Sequence, residues 1–497
     1  MQKLVSLCKR RGFIFQSSEI YGGLKSAYDY GPLGIELKRN IMNEWWKSMV
    51  YQREDVVGLD ASIIMHPKVW QASGHLSSFT DPLVDCRNCK ERFRADKAPQ
   101  VEPGTEVEYI KGGKPKGEKL KGIAERGYVC PNCGSPDLSP ERQFNLMFRT
   151  HLGPVDILNE LVQAAVKNKD KNEDELKKAL AEVMEASAVY LRPETAQAMF
   201  VQFLNVQRTM SMKIPFGIAQ MGKSFRNEVT TEHFIFRSCE FEQMELEYFV
   251  EPGTQLEWLE YWKEERLKWY RQFANHPENF RVREHTQEEL AHYADKCYDI
   301  EYKYPWGWDE LEGVASRTDY DLKKHTQMSG QKLEYFDPFK ENPKTGKKGV
   351  KYTPYVVEPA AGATRSVLVY LLDAYAEEEP PEKGKSGRTV LRLHPKLAPF
   401  KAAVLPLVKK DGLPELARKI VEHFFQEGLN ARYDEQHSIG KRYLRHDEAG
   451  TPFCLTVDHQ SLEDKQVTIR YRDSREQRRI PIEEALDVVK KEIEKET

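Results

Sequence analysis

The 497-residue sequence predicts a multidomain protein of mixed α+β and α/β type, a sheet-containing region with insertions followed by a smaller α/β module. Three observations carry this reading. Residues 214–250 alternate apolar and polar side chains around a polar break near 229–233, as in a long antiparallel hairpin. Two stretches, about 81–140 and 167–185, shift toward Lys, Glu and, in the first, Gly and Pro, as inserted segments do. After a Pro/Glu/Gly/Lys run at 377–388, short apolar strands alternate with helical patterns to the C-terminus. The length corresponds to about three domains. With 75 basic and 78 acidic residues the net charge is −3, which excludes a global positive field, so any polyanion contact must come from local clusters.

In chain order, the first nine residues are broken by charges too early for a signal peptide, and no apolar run approaches membrane-spanning length. The expectation is a cytoplasmic protein without a membrane partner. Gly31-Pro32-Leu33-Gly34 breaks the chain, and Leu37, Ile41, Met42, Trp45, Trp46 and Met49 then recur at helical spacing to about residue 50. Two tryptophans on one stripe are expected to serve a subunit contact or the helix's own core. Of eight cysteines, four form Cys86-x-x-Cys89 and Cys130-x-x-Cys133, the paired spacing of a tetrahedral Cys₄ zinc site. Such zinc is structural, because four thiolates leave no open position for water. An apolar patch (Phe144, Leu146, Phe148) and a helix around Leu158, Leu161, Val162 and Ala165 follow. Segment 251–345 is aromatic and charged and reads as a second insertion. In the last module Ala402–Val408, Phe453–Val457 and Val467–Tyr471 read as strands, Pro414–Phe425 and Ile482–Glu494 as helices. The expected divisions are a core in three parts (1–80, 141–250 and 346–390), a zinc-ribbon-like insertion (81–140), the second insertion (251–345) and the C-terminal module (394–497).

The strongest local signal is Phe225-Arg226-Asn227-Glu228, a short loop, then Arg237-Ser238-Cys239-Glu240-Phe241-Glu242-Gln243-Met244-Glu245. Residues two apart on a strand share a face, so Arg226 and Glu228 are expected together, as are Phe241, Gln243 and Glu245. A floor with an arginine, acids and an aromatic ring suits a nucleotide and a cationic ligand. This stretch resembles motif 2 of the class II aminoacyl-tRNA synthetases. Gly31-Pro32 and its helix resemble motif 1, and Glu358-Pro359-Ala360-Ala361-Gly362-Ala363-Thr364-Arg365 resembles motif 3. Arg192-Pro193-Glu194-Thr195-Ala196-Gln197, Arg317-Thr318-Asp319-Tyr320-Asp321-Leu322 and Gly440-Lys441-Arg442-Tyr443 are similar to the dimeric, glycyl branch of that family.

The resemblance implies an antiparallel-sheet catalytic domain and a C-terminal anticodon-binding domain. It implies glycine, ATP with Mg²⁺, and tRNA(Gly) as reactants and cofactor, and a homodimer. Arg226, Glu228 and Arg365 take catalytic roles: Arg226 binds the ATP α-phosphate, Glu228 the adenine amino group, and Arg365 the γ-phosphate. Asn227, Phe236, Arg237, Phe241, Glu310, Leu311 and Gly362 complete the ATP site, with Phe241 stacked on adenine and Glu310 bridging Mg²⁺. Arg94, Glu194, Phe241, Gln243, Glu245, Glu358 and Gly362 surround glycine, the acids meeting its ammonium and leaving no room for a β-carbon. Two positions depart from the family pattern. Ala360 stands where Ser is usual, and Thr364 where Asp is usual, which removes one orienting partner from Arg365. The C-terminal module holds nineteen basic and nineteen acidic residues between 394 and 497. Its RNA contacts are therefore expected from clusters, Lys441-Arg442-Tyr443-Leu444-Arg445 and Arg470, Arg472, Arg475, Arg478, Arg479.

Overall fold

The computed structural model describes residues 1–495 except 115–116, 155, 230–232, 292, 343–344 and 380–386. Most of the hairpin's expected polar break and of the 377–388 run therefore lies outside the described residues. The helix at Gly31-Pro32 forms as α1 (Pro32–Trp46), with Gly31 as N-cap and Pro32 where a missing N–H costs nothing. Trp45 is fully buried in the chain's own core, and the half-buried Trp46 ring lies so close to Gly58 that a Cβ there would sit 2.4 Å from it. The buried part of the apolar stripe is thus used within the chain.

A seven-stranded sheet organises the core. In chain order its strands are β1 (Val56–Gly58), β2 (Phe216–Phe225), β3 (Glu240–Val250), β4 (Phe280–Glu284), β5 (Lys296–Tyr304), β6 (Gly307–Thr318) and β7 (Tyr355–Gly362). Their spatial order is β4-β5-β6-β7-β3-β2-β1, antiparallel except for β2 with β1. The two faces follow from period-two alternation. On β3, Met244, Leu246, Tyr248 and Val250 pack into the main core with helices α3 (Gln255–Arg271) and α5 (Ala363–Ala374). Between those helices in sequence lies α4 (Tyr320–Ser329), and before them α2 (Ala196–Thr209). Phe241, Gln243, Glu245 and Glu247 point to the other face, which ends at Phe249 beneath α2. A buried ion pair, Arg266 Nε to Glu312 at 2.8 Å, ties α3 to β6 from the core side.

Segment 251–345 differs from the expected insertion. It supplies β4, β5 and β6, three of the seven strands, and so belongs to the central sheet. Its charged and aromatic composition is that of strands with one face in the core and one in a polar cleft. On β5, Tyr298, Ile300, Tyr302 and Tyr304 are core residues, whereas Cys297, Asp299 and Glu301 face the cleft.

The two insertions fold locally. Thr80–Asp85, Arg92–Arg94 and Arg142–Asn145 make a three-stranded sheet beside the hairpin Thr105–Ile110/Lys119–Ala124. The helix expected around 158–165 forms as Ile157–Lys167 and the charged stretch as Glu173–Ala186, the two making a helical hairpin whose N-caps Asp156 and Asn172 accept from Asn159 N (3.1 Å) and Glu175 N (2.9 Å). The C-terminal module is a five-stranded mixed sheet with its own core, covered by helices Leu413–Gln426, Ile439–Glu448 and Ala485–Glu494. Among the described residues no helix is long and apolar enough to cross a membrane.

Candidate active site

The polar face of the sheet floors a cleft of about 680 Å³. Strand register sets its rows: Asp299, Gly313, Ala360 and Glu245 run across four strands, and Cys297, Ala315 and Glu358 form the row beside them. A Cβ placed on Gly313 would have no heavy atom within 4 Å, so the middle of the floor is open. At Gly222, by contrast, a Cβ would lie 2.2 Å from the Arg192 guanidinium, which glycine alone admits.

One end is rich in arginine. β2 stops at Phe225, so Arg226 and Glu228 stand in the loop just beyond the strand, and both still line the cleft. Arg226 is held by Arg226 N donating to Cys239 O (2.9 Å) and Nε donating to Pro193 O (3.1 Å). Its guanidinium lies 5.3 Å from the centre of the Phe241 ring. Glu228 pairs with Arg237 at 3.6 Å. Asn227 does not line the cleft; its N–H donates to Leu146 O at 2.8 Å.

Arg365, in the first turn of α5, pairs with Glu310 at 3.0 Å, donates to the Glu310 carbonyl at 3.2 Å, and lies 4.5 Å over the Phe236 ring. The partner that Thr364 cannot supply is thus replaced by Glu310. Thr364 instead binds the β3 backbone, accepting from Glu242 N at 3.2 Å. Burial and then Glu310 act in opposite directions on Arg365, with the net effect of strengthening its hold on the proton. Glu310 is kept below the usual carboxylate range chiefly by Arg365, against its burial.

The other end gathers acids around one buried cation. Arg317 donates to Glu358 at 2.6 Å and to Asp321 at 2.8 and 3.0 Å, with its guanidinium 4.0 Å from the Tyr293 ring centre. Glu194 accepts from Gln197 at 2.9 Å and meets His75 at 3.3 Å. Burial favours its neutral form, but the charges of His75 and Arg317 prevail and hold it below the usual range. Glu245 accepts from Thr195 N (3.0 Å) and Gln243 Nε2 (2.8 Å); burial, then the neighbouring Glu358 and Glu194, push it up to about 8. Burial also raises Glu358, with Arg317 opposing.

Of the residues expected at the site, the cleft brings together Arg226, Glu228, Phe236, Arg237, Phe241, Gln243, Glu245, Glu194, Glu310, Leu311, Glu358, Gly362 and Arg365. Arg94 stands apart from these. It is held by Asp81 (2.9 Å) and Asp96 (2.7 Å) and does not line the cleft, where Lys97 stands instead. Arg317 carries no assigned role in the sequence reading: it stands near the end of β6, and Asp321 meets it from the first turn of α4, a turn of the chain between strand and helix that the residue spacing alone does not reveal.

Away from the cleft, the sulfurs of Cys86, Cys89, Cys130 and Cys133 lie within 4.8 Å of one another, three of these residues being buried. Asn88 Nδ2 donates to Cys133 Sγ at 3.3 Å and Cys89 N to Cys86 Sγ at 3.5 Å, contacts that suit thiolate ligands. This donor set fits a tetrahedral metal ion. The basic clusters of the C-terminal module are largely committed elsewhere. Arg442 donates to the carbonyls of Pro406, Asp434 and Leu407, Arg470 grips Asp447, and Arg472 binds Gly450 O and Asp473. Arg445 pairs with Asp434, and Arg479 with Asp458 and Asp464. These arginines brace the module, while Lys441 remains exposed.

A family profile described as the tRNA synthetase class II core domain (G, H, P, S and T) matches residues 181–374, and one described as the anticodon binding domain matches residues 401–492. A Treponema denticola protein named glycine–tRNA ligase is 49% identical over 495 residues, covering 99% of this chain and 97% of its own length. Proteins of the same name from Geobacillus thermodenitrificans (48% over 498 residues, 99% and 97%) and Alkaliphilus oremlandii (50% over 488 residues, 97% and 96%) are similarly close.

Proposed function

The chain belongs to the glycine–tRNA ligase family of the class II synthetases, and from that premise we propose how its cleft joins glycine to tRNA(Gly). The glycine carboxylate attacks the ATP α-phosphorus, the bond to pyrophosphate breaks, and glycyl-adenylate remains. A ribose hydroxyl at the tRNA 3′ end then attacks the glycyl carbonyl, and AMP leaves. The first step requires in-line placement and charge neutralisation, with no proton to remove.

Arg226 holds the α-phosphate, Arg365 the γ-phosphate, Phe241 the adenine face and Glu228 the adenine amino group. Glu310 would hold Mg²⁺, which would supply charge neutralisation to the triphosphate. Glu194, Glu245 and Glu358 receive the glycine ammonium. The observation that carries this reading is the union in one cleft of two cleft-lining arginines, Arg226 and Arg365, with three acids set around Arg317. Selection by a tight wall suits glycine, because one methylene in a roomy pocket discriminates by only about 10–200-fold. ATP–pyrophosphate exchange with glycine, alanine, serine, threonine and proline tests it. Exchange with glycine alone is expected, and robust exchange with any of the others contradicts the pocket.

The same proposal includes structural zinc at the four cysteines, with one ion per chain expected by elemental analysis and a metal-free, fully active preparation counting against it. It includes residence in the cytoplasm and a homodimer. The exposed Ile20, Tyr21 and Leu24 (88%, 88% and 62% accessible) are an apolar surface available to a second copy, and sedimentation reads the state directly.

A further inference from the structure

The cleft has an acid behind its wall that the reaction scheme does not use. Glu247 on β3 is completely inaccessible to solvent and does not line the cleft. Neither carboxyl oxygen has a hydrogen-bond partner among the described residues. The register pairs Glu245 with Ala360 and Tyr248 with Val357, which sets Glu247 directly opposite Glu358 on β7. We propose that Glu247 is a positioning residue, a hydrogen-bond donor from the neighbouring strand that fixes the orientation and the charge of Glu358 where it meets the substrate ammonium.

Burial and the surrounding charges favour a neutral carboxyl here. Glu247 faces Glu358, Glu245 and Arg317, while Glu194 and Asp321 face Glu358 in turn. Burial, and after it the charge of Glu358, keep the Glu247 proton in place, with Arg317 opposing. A neutral carboxyl carries one O–H to give, and an ionised Glu358 can only accept. Arg317 already engages Glu358 Oε2 at 2.6 Å, and a second donor from β3 holds the carboxylate in one orientation as an anion. An anionic Glu247 would instead add an unpaired charge to a crowded acidic cluster.

The inference rests on glycine being the substrate, and glycine-dependent exchange by the unaltered protein is the control. Its absence sinks the proposed function, whereas the infrared reading below tests the pairing whatever the substrate. Glu247→Leu fills the space without a donor and should raise the KM for glycine about tenfold or more while that for ATP stays within about twofold. Glu247→Gln keeps an N–H donor and should restore the glycine KM to within about threefold of the original. A difference infrared spectrum between the unaltered protein and Glu247→Gln at neutral pH should contain one protonated-carboxyl C=O band. The proposal is overturned if Glu247→Leu binds glycine normally, if Gln is as damaging as Leu, if both substrates weaken in parallel, or if the band is missing.

Discussion

Arg365 and Arg317 occupy opposite ends of one cleft, each beside a glutamate, yet their surroundings differ. The Arg365 side chain is 21% accessible and its partner Glu310 46%, so solvent reaches their pair. The Arg317 side chain is 3% accessible and its partners Asp321 and Glu358 are 2% and 10%, so that pairing persists whether or not a ligand is present. On the proposed reading the arginine end offers charge to a substrate, while at the other end the arginine braces the acids that do the offering. The C-terminal module shows the same distinction, since most of its clustered arginines spend their donors on carbonyls and aspartates. Solvent access and unspent donors, more than the count of charges, separate a binding surface from a brace.

This contrast can be broken by substitution. Arg317→Met should cost about 3–5 kcal/mol of stability, because it strands two buried carboxylates, and the melting temperature reads it directly. An unchanged melting temperature would mean that Arg317 is no brace. Arg226→Ala should leave the melting temperature nearly unaltered but slow adenylate formation at least about a hundredfold, the scale of losing one transition-state donor. Near-normal exchange would remove Arg226 from the reaction. Glu358→Gln should raise the KM for glycine by about tenfold or more with little effect on that for ATP; equal effects on both would deny the contact with the ammonium.

The smallest expected effect sharpens the contrast through pH. Glu245 is pushed up to about 8, so it is neutral below that pH and anionic above it. An ammonium prefers the anion, and kcat/KM for glycine should therefore rise as pH rises from 7 to 9. The change should be about tenfold, following the ionised fraction of such a group. Glu245→Gln should flatten this profile while weakening glycine binding throughout, and a profile unchanged by the substitution would place the titration elsewhere.

Much of the site is legible in the residues alone. The alternation on 240–250 places Phe241, Gln243 and Glu245 on one face, and they do face the cleft together. The cysteine spacing brings four sulfurs within 4.8 Å. Other features are not legible. Cys297 and Asp299 look like part of a charged insertion because only the neighbouring strands reveal that one face of β5 borders a cleft. The pairing of Arg94 with Asp81 and Asp96 is equally invisible in the residues alone. Glu310 emerges as the restraint on Arg365 only when β6 is laid beside α5.

By itself the sequence determined what depends on neighbours a few residues apart: strand and helix period, caps, metal-ligand spacing and the faces of the hairpin. Tertiary structure decided which charges are spent and which are available. Pairing and burial join positions far apart in the chain, as Arg317 to Glu358 and His75 to Glu194, and the free energy of a buried charge depends on those distant partners.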